Sequence, residues 1–268
     1  MQGDAMHIVV CVKQIFDAIK MTIESEARGF TYSDAPSGQI NPLDKNALET
    51  AVQLKERHGG TITALSLGAA HSKAVLQECI ARGADSAVLI HDLDFAGADT
   101  LVTSCILAAA IRKISPVDIV ICGRQAMDGD TAQVGPQIAE LLGIPQVTCV
   151  ARIEIESGTV RIERHHDDGD EIIGAKLPLL ITVADSITIP GSPSAAKMAA
   201  ARQAEIFVWA ASGLKLDGQP IGGSEAAMKV CNIVAVPQRP PGVIIHKDTA
   251  VESVNDLMDR LYRGKIVW

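Results

Sequence analysis

The sequence predicts an α/β protein with a doubly wound, mostly parallel sheet, and three observations support this fold class. Short apolar runs rich in β-branched residues alternate with segments of helical periodicity through the first half of the chain. The runs are apolar at consecutive positions, which is typical of strands buried on both faces of a parallel sheet. With 268 residues the chain exceeds an ordinary domain, so we expect one α/β core with an appendage.

Strands and helices of the core are predicted in strict alternation. The strands are His7–Val12, Thr61–Leu67, Ala87–Ile90 and Val117–Cys122. The helices run from Lys45 to the residue before Gly59, from Ser72 to Arg82 and from Asp99 to Ile114, and a further helical run follows Pro136. Gly83 is expected to end the second helix, and Asp99 or Thr100 can cap the third.

The pattern changes after Pro145, where four shorter strand-like segments follow one another. They are Val147–Ile155, Thr159–Glu163, Glu171–Ala175 and Leu179–Val183. We interpret them as an antiparallel meander at the sheet edge. The segment beyond Pro190 is rich in Gly and Pro and ends in a helix candidate, Val251–Tyr262, so it is predicted to be an extended arm that packs on another surface.

Composition excludes several functional classes. The 24 basic and 32 acidic residues give a net charge of −8, the wrong sign for a general nucleic-acid binder. The apolar stretches are too short to span a bilayer, and the start shows no secretion signal. The six cysteines are scattered, mostly within apolar runs, and predict reduced core residues in a cytoplasmic protein.

The loop after the fourth strand is the most informative candidate site. Ligands of open parallel sheets bind at the carboxyl ends of the strands, so the loops after Val12, Leu67 and Cys122 are candidates. The segment from Gly123 to Pro136 offers glycines, a cap at Thr131 or Gly135, and free N–H groups that favour a phosphate. An ordinary capped strand-to-helix turn is the alternative. Asp128 and Asp130 would repel an anion unless they point away from it or contact ribose or backbone.

The other motifs in the sequence give weaker indications of a functional site. The sequence contains no GxGxxG fingerprint, Walker-type loop, GxSxG elbow or HExxH, and it offers no convincing catalytic nucleophile. Neighbouring residues of a strand point to opposite faces, so the segment from His165 to Asp170 indicates a solvated hairpin tip rather than a metal site. Asn41 before the first helix is by itself best explained as an Asx cap, with nucleotide contact as the alternative.

Four segments together resemble the β subunit of electron transfer flavoproteins. They are VCVKQ at 10–14, NPLDKNALE at 41–49, GRQAMDGDTAQVGPQIAELLGIPQ at 123–146 and LPLLITV at 177–183. The resemblance implies a Rossmann-like core that binds an adenine nucleotide over residues 1–190. It also implies that residues 191–268 form a partner-recognition loop and an arm packing on a homologous α subunit, which holds the electron-transferring FAD.

The resemblance assigns the site residues. Cys11 would line the adenine pocket, and Leu67 would contact the nucleotide. Further contacts would come from Asn41, Pro42, Leu43 and Asp44. The phosphates and ribose would be wrapped by Gly123, Arg124, Gln125, Ala126, Met127, Asp128, Gly129, Asp130, Thr131, Ala132, Gln133 and Val134. Partner recognition would involve Ala195, Ala196, Lys197 and Met198.

The family has two types, and the difference concerns the cofactor of this subunit. One type holds a structural AMP; the bifurcating type holds a second FAD that accepts a hydride from NADH. The stretch DGDTAQVGPQIAE resembles the bifurcating type, so FAD is expected and AMP is the alternative. Expected partners are the α subunit and an acyl-CoA dehydrogenase-type or other flavin or quinone oxidoreductase. A stand-alone nucleotide-binding sensor or hydrolase is a third hypothesis, which the Gly- and Pro-rich arm disfavours.

Three departures from the family pattern bear on cofactor and partner choice. Residues 15–18 read Ile-Phe-Asp-Ala where Val-Pro-Asp-Thr is usual. Gly191 and Ala195 stand near the places where the recognition loop usually has larger residues, including a protruding Leu. His165 stands where an acidic residue is often seen after the Glu-Arg pair. If this position approaches the flavin of the α subunit, the charge there would depend on pH.

Overall fold

The computed structural model describes residues 5–16, 21–24, 29–32, 38–156, 159–216, 218–228, 231 and 241–267. The chain forms two compact units, residues 1–231 and residues 232–268. In the described residues the strands are β1 His7–Cys11, β2 Gln14–Ile15, β3 Met21–Glu24, β4 Gly29–Tyr32, β5 Gln39–Ile40, β6 Thr61–Leu67, β7 Ser86–Ile90, β8 Ile119–Gly123, β9 Gln146–Glu156, β10 Thr159–His166, β11 Gly169–Ala175, β12 Leu179–Val183 and β13 Phe207–Trp209. The α-helices are α1 Pro42–His58, α2 Lys73–Arg82, α3 Thr100–Ile114, α4 Val134–Leu142, α5 Ala195–Ala201 and α6 Ala250–Arg263.

The first unit is built on one large sheet. Its nine described strands lie in the order β11-β10-β9-β12-β8-β1-β6-β7-β13. All neighbours from β9 to β13 in this order are parallel, whereas β9, β10 and β11 pair antiparallel. The predicted α/β fold with a parallel sheet and an edge meander is confirmed.

Helices cover both faces of the sheet because the inner strands are apolar on both sides. Along β1, Val10 belongs to the same buried cluster as Leu48 of α1, while Val9 belongs to a second cluster with Ile106 of α3 and Ile138 of α4. Side chains of a strand alternate between faces, so one apolar run supplies two cores.

Helix ends follow the local signals in the sequence. Asp99 caps α3, because its carboxylate accepts a hydrogen bond of 2.9 Å from the N–H of Val102. Gly83 follows the last residue of α2 and has a φ of 129°, a backbone conformation that residues with a side chain rarely adopt. The caps predicted at these two positions are confirmed.

One strand of the predicted meander was misplaced. Leu179–Val183 is not a fourth antiparallel strand; β12 lies between β8 and β9 and is parallel to both. All five of its residues are buried, which is the pattern of an inner strand with helices on both faces. The antiparallel part therefore consists of β9, β10 and β11.

Residues 191–216 and 218–228, which are predicted above to belong to the arm, are part of the first unit. Helix α5 lies against α2, and β13 extends the sheet beside β7. Lys113 places its ammonium 4.1 Å from the centre of the Trp209 ring and donates to the carbonyl of Gly213. Leu214 and Ala226 are buried in the core on the α3 side of the sheet.

In the second unit, α6 begins with a capping box. The hydroxyl of Thr249 accepts from the N–H of Glu252, and the Glu252 carboxylate accepts from the N–H of Thr249. Val251, Val254 and Leu257 expose apolar surface along this helix. Among the helices of the described residues, none is long and apolar enough to cross a bilayer.

Candidate functional site

The candidate site lies where the chain switches from one face of the sheet to the other. Strands β1 and β8 are parallel neighbours, with Cys11 directly opposite Cys122. The segment after β1 leads to α1 on one face, and the loop after β8 leads to α4 on the other. Such a divergence opens a crevice outside the carboxyl ends of the two strands, where ligands of open α/β sheets bind.

Asn41 ties the first helix to the loop after β8. Its side-chain amide donates to the carbonyl of Gln125 at 2.9 Å, and its side-chain oxygen accepts from the N–H of Met127 at 3.2 Å. Asn41 is fully buried, and its side chain makes no cap hydrogen bond to α1. The Asx cap expected at Asn41 is therefore wrong, because both polar ends of the amide are committed to the loop 84 and 86 residues further along the chain.

Asp44 joins the same helix to the ends of both strands. Its carboxylate accepts a 2.7 Å hydrogen bond from the N–H of Lys13, just beyond β1. On the other side it lies against Gly123, the last residue of β8, where a Cβ would stand 2.4 Å from Asp44 Oδ1. Only glycine allows this close approach.

Burial raises the pKa of Asp44 to about 7. The N–H groups of Lys13 and Gly123 and the side chain of Asn41 lower this pKa, but they do not offset the loss of hydration. The carboxyl group therefore changes charge near neutral pH at the point where three segments meet.

We expect Asp44 to make the free energy of unfolding fall as the pH rises from about 4 to about 7. Over this range the folded chain keeps a proton on Asp44 that the unfolded chain, with its pKa near 3.8, has released. Between pH 5 and pH 7.5 this fall should amount to about 3 kcal/mol. Urea unfolding at the two pH values, compared between the wild type and Asp44→Asn, isolates it. An equal change in both proteins would contradict the raised pKa.

The loop from 123 to 134 is held by polar contacts along its length. The Gln125 amide donates to the carboxylate of Asp130, and the Thr100 hydroxyl donates to Gln133 Oε1 at 3.0 Å. Asp130 and Ala132 adopt left-handed φ values of 52° and 54°. The loop is thus shaped by specific contacts and is not a minimal turn.

The predicted cap of the following helix is not formed. Helix α4 begins at Val134 after Gln133, and no side chain caps it. Thr131 lies outside the helix and Gly135 within it, so neither is the cap. No hydrogen bond in the described part of the chain engages the N–H groups of Thr131, Ala132 or Gln133. These donors leave the loop able to bind an anion.

The structure brings most of the predicted site residues together. Asn41 and Asp44 contact the loop or its first residue, Cys11 ends the strand beside it, and Leu67 ends the next strand along the sheet. Pro42 is exposed at the start of α1, and Leu43 lies against Gly123. The predicted partner-binding residues lie elsewhere, on α5 beside α2; Ala195, Ala196 and Lys197 are exposed and Met198 is half-buried.

One residue of the crevice was missed. Lys13 follows the end of β1 and places its ammonium 2.8 Å from Asp128 Oδ1. The sequence signals for Lys13 were its position just after a predicted strand and its place in the VCVKQ segment. The side-chain reach to the loop, 115 residues away, depends on the pairing of β1 with β8.

An adenine nucleotide fits this set of residues. Cys11 and Leu67 supply apolar surface, and the exposed loop supplies N–H donors. The buried hydroxyl of Ser66, next to Leu67 at the end of β6, has no hydrogen-bond partner among the described residues. A polar atom of a ligand at this strand end would satisfy it.

The two adjacent histidines lie on β10, which β9 and β12 separate from β8 in the sheet. His165 and His166 end β10 at an exposed turn, and His165 Nδ1 lies 2.5 Å from the Asp170 carboxylate across the hairpin. The predicted hairpin tip is confirmed. Over the described ranges, no group of three or more His, Cys, Asp or Glu side chains is arranged to hold a metal ion.

Comparison with known proteins decides the family. A model of the electron transfer flavoprotein domain matches residues 29–214. The electron transfer flavoprotein subunit beta of Clostridium acetobutylicum is 40% identical over 260 residues, which cover 96% of this chain and all of that protein. This chain belongs to the electron transfer flavoprotein β-subunit family. The matched range includes Asn41, Asp44, the loop after β8 and α5.

Two further relatives of this β-subunit chain carry more specific names. The caffeyl-CoA reductase–Etf complex subunit CarD of Acetobacterium woodii is 36% identical over 98% of this chain and 100% of its own length. The acryloyl-CoA reductase electron transfer subunit gamma of Anaerotignum propionicum is 37% identical over 98% of this chain and 100% of its own length.

The structure describes part of the positions that depart from the family pattern. Gly191 and Ala195 are exposed and Ile15 is buried, while residues 17 and 18 lie outside the described residues.

Proposed function

We propose that this chain is the β subunit of a heterodimeric electron transfer flavoprotein and that it binds FAD at the crevice between β1 and β8. NADH would reduce this flavin, and electrons would pass to the FAD of the α subunit and to an acyl-CoA dehydrogenase-type or other flavin or quinone oxidoreductase. The observation that carries the proposal is the pair of hydrogen bonds that the Asn41 side chain makes, donating to the Gln125 carbonyl and accepting from the Met127 N–H, because they join two family motifs around the crevice.

Each group of residues has a distinct role in this proposal. A bound FAD would supply the redox chemistry, while the protein orients it and tunes its surroundings. The N–H groups of Thr131, Ala132 and Gln133 would bind the phosphates. Asn41 and Asp44 would act indirectly, by fixing the loop that carries those donors. Cys11 and Leu67 would line the adenine side.

The choice of FAD over AMP is supported by the loop sequence and by two relatives. DGDTAQVGPQIAE resembles the bifurcating type, and the relatives named above belong by name to a caffeyl-CoA reductase–Etf complex and to an acryloyl-CoA reductase. An AMP that only stabilises the fold would use the same donors and would move no electrons.

Two surfaces are proposed for protein partners. Helix α6 of the second unit exposes Val251, Val254 and Leu257, which suits an arm that packs on the α subunit. Ala195, Ala196, Lys197 and Met198 on α5 are proposed to meet the oxidoreductase. The cytoplasmic location expected from the cysteines stays a prediction.

Cofactor content of the complex with the co-produced α subunit tests the proposal. We expect two FAD per heterodimer after acid release and chromatography, and bleaching of flavin absorbance when NADH is added without oxygen. If the complex contains one FAD and one AMP, the ligand at the crevice is AMP and the FAD assignment is overturned. A complex without any nucleotide attributable to this chain would reject the site.

A further inference from the structure

The side chain of Lys13 reaches across the crevice from a fixed backbone. Its N–H donates to Asp44 at 2.7 Å, and its carbonyl accepts from the N–H of Asn41 at 2.9 Å. Its ammonium lies 2.8 Å from Asp128 Oδ1 in the loop after β8. The backbone position is thus set by two buried residues, while the charged end is half-exposed and faces the loop.

Among the residues that the structure describes, the Lys13–Asp128 contact is the one ion pair between the loop after β8 and the rest of the chain. Among ion pairs of the described residues, none other includes a residue from 123 to 134. The other acid of the loop, Asp130, accepts from Gln125 within the loop itself. Lys13 therefore supplies a positive charge from outside the loop, and Asp128 is its partner.

The pair is weak enough to be exchanged. The Lys13 and Asp128 side chains are 50% and 44% exposed, and exposed pairs of this kind contribute little net free energy. A phosphate carries more negative charge than a carboxylate and offers more acceptor oxygens to an ammonium group. A phosphate bound by the N–H groups of the same loop would compete directly for Lys13.

We propose that the Lys13 ammonium contacts the phosphate of the bound nucleotide and that Asp128 competes with the phosphate for it. This inference rests on the proposed function. Lys13 then explains how a loop with two acids accepts an anion, because its positive charge lies at the loop and offsets one of the two carboxylates. The affinity for the phosphate group of the ligand therefore depends on Lys13, and the affinity for its adenosine part does not.

Binding of AMP, FAD and adenosine to the full-length chain, stripped of endogenous nucleotide, tests this inference by calorimetry. Lys13→Met should weaken AMP or FAD binding about tenfold and leave adenosine binding unchanged, because only the phosphate contact is lost. Asp128→Asn should tighten phosphate-ligand binding about threefold, since the competitor is removed. Lys55→Met is the matched control: it also removes an ammonium paired with an Asp, Asp85, on the surface.

The possible outcomes separate this inference from the proposed function. Phosphate-ligand affinity equal to wild type in Lys13→Met would overturn the role of Lys13 and leave the nucleotide site intact. An equal loss of adenosine and AMP affinity would also overturn it, because the lysine would then act on the fold of the site. A wild-type chain that binds none of the three ligands would reject the proposed function together with this inference.

Discussion

Gly123→Ala is expected to lower the free energy of unfolding by about 3 kcal/mol and to abolish measurable nucleotide binding. The new Cβ would lie 2.4 Å from Asp44 Oδ1, 2.8 Å from the carbonyl carbon of Leu43 and 2.9 Å from the N–H nitrogen of Asp44. These atoms belong to the first turn of α1, which cannot retreat without losing the hydrogen bonds of Asn41 and Asp44. Urea unfolding and calorimetry with AMP and FAD measure both effects.

Gly129→Ala is the matched control for this substitution. Gly129 lies in the same loop, and a Cβ there would meet no atom within 4 Å. We expect its free energy of unfolding to stay within about 0.5 kcal/mol of wild type. If Gly123→Ala unfolds at the same urea concentration as Gly129→Ala, the close approach of α1 to β8 is not a constraint on the fold.

Asn41→Ala should have the second largest effect, and its signature is the loss of ligand affinity. The substitution removes two hydrogen bonds to the loop after β8 and should lower the free energy of unfolding by about 2 kcal/mol. Because Gln125 and Met127 are no longer fixed, the loop must be ordered when the ligand binds, and affinity for AMP or FAD should fall at least about tenfold. Calorimetry measures the affinity, and urea unfolding measures the stability.

Asn46→Ala is the control for Asn41→Ala, because it tests whether a loss of stability alone lowers nucleotide affinity. Asn46 lies in α1, which Asn41 directly precedes, is also buried, and donates two hydrogen bonds of its own, to the carbonyls of Asp185 and Thr188. Removing the Asn46 side chain should lower the free energy of unfolding by a similar amount and leave nucleotide affinity unchanged. A similar loss of affinity in both variants would show that Asn41 contributes only to stability.

Local sequence predicted most elements of the core because periodicity and helix-end signals act over a few residues. Helix α3, for example, begins after Asp99 and ends at Ile114, as expected. The same signals failed for Leu179–Val183, which was recognised as a strand but given the wrong neighbours. A buried apolar run indicates that a strand is covered on both faces, but it does not say which strands lie beside it.

Site residues divide in the same way. The loop after β8 and the Asn41–Asp44 segment were predicted, partly from the positions of strand ends and partly from the family resemblance. The contacts between them were not, and the Asn41 side chain was assigned to the wrong partner. Lys13 stands in the quoted VCVKQ segment but was not predicted as a site residue, because its partner Asp128 is 115 residues away in the sequence.

The sequence alone determined the fold class, the family and the loop that forms the candidate site, since composition, periodicity and motifs are properties of short segments. Only the tertiary structure decided that Asn41 and Asp44 hold that loop, that β12 lies inside the sheet, and that Lys13 faces Asp128. These features depend on the order in which strands pair, and the pairing of β1 with β8 brings together residues more than 80 positions apart. The physical reason is that buried polar groups take whichever partner the packing places within hydrogen-bond distance.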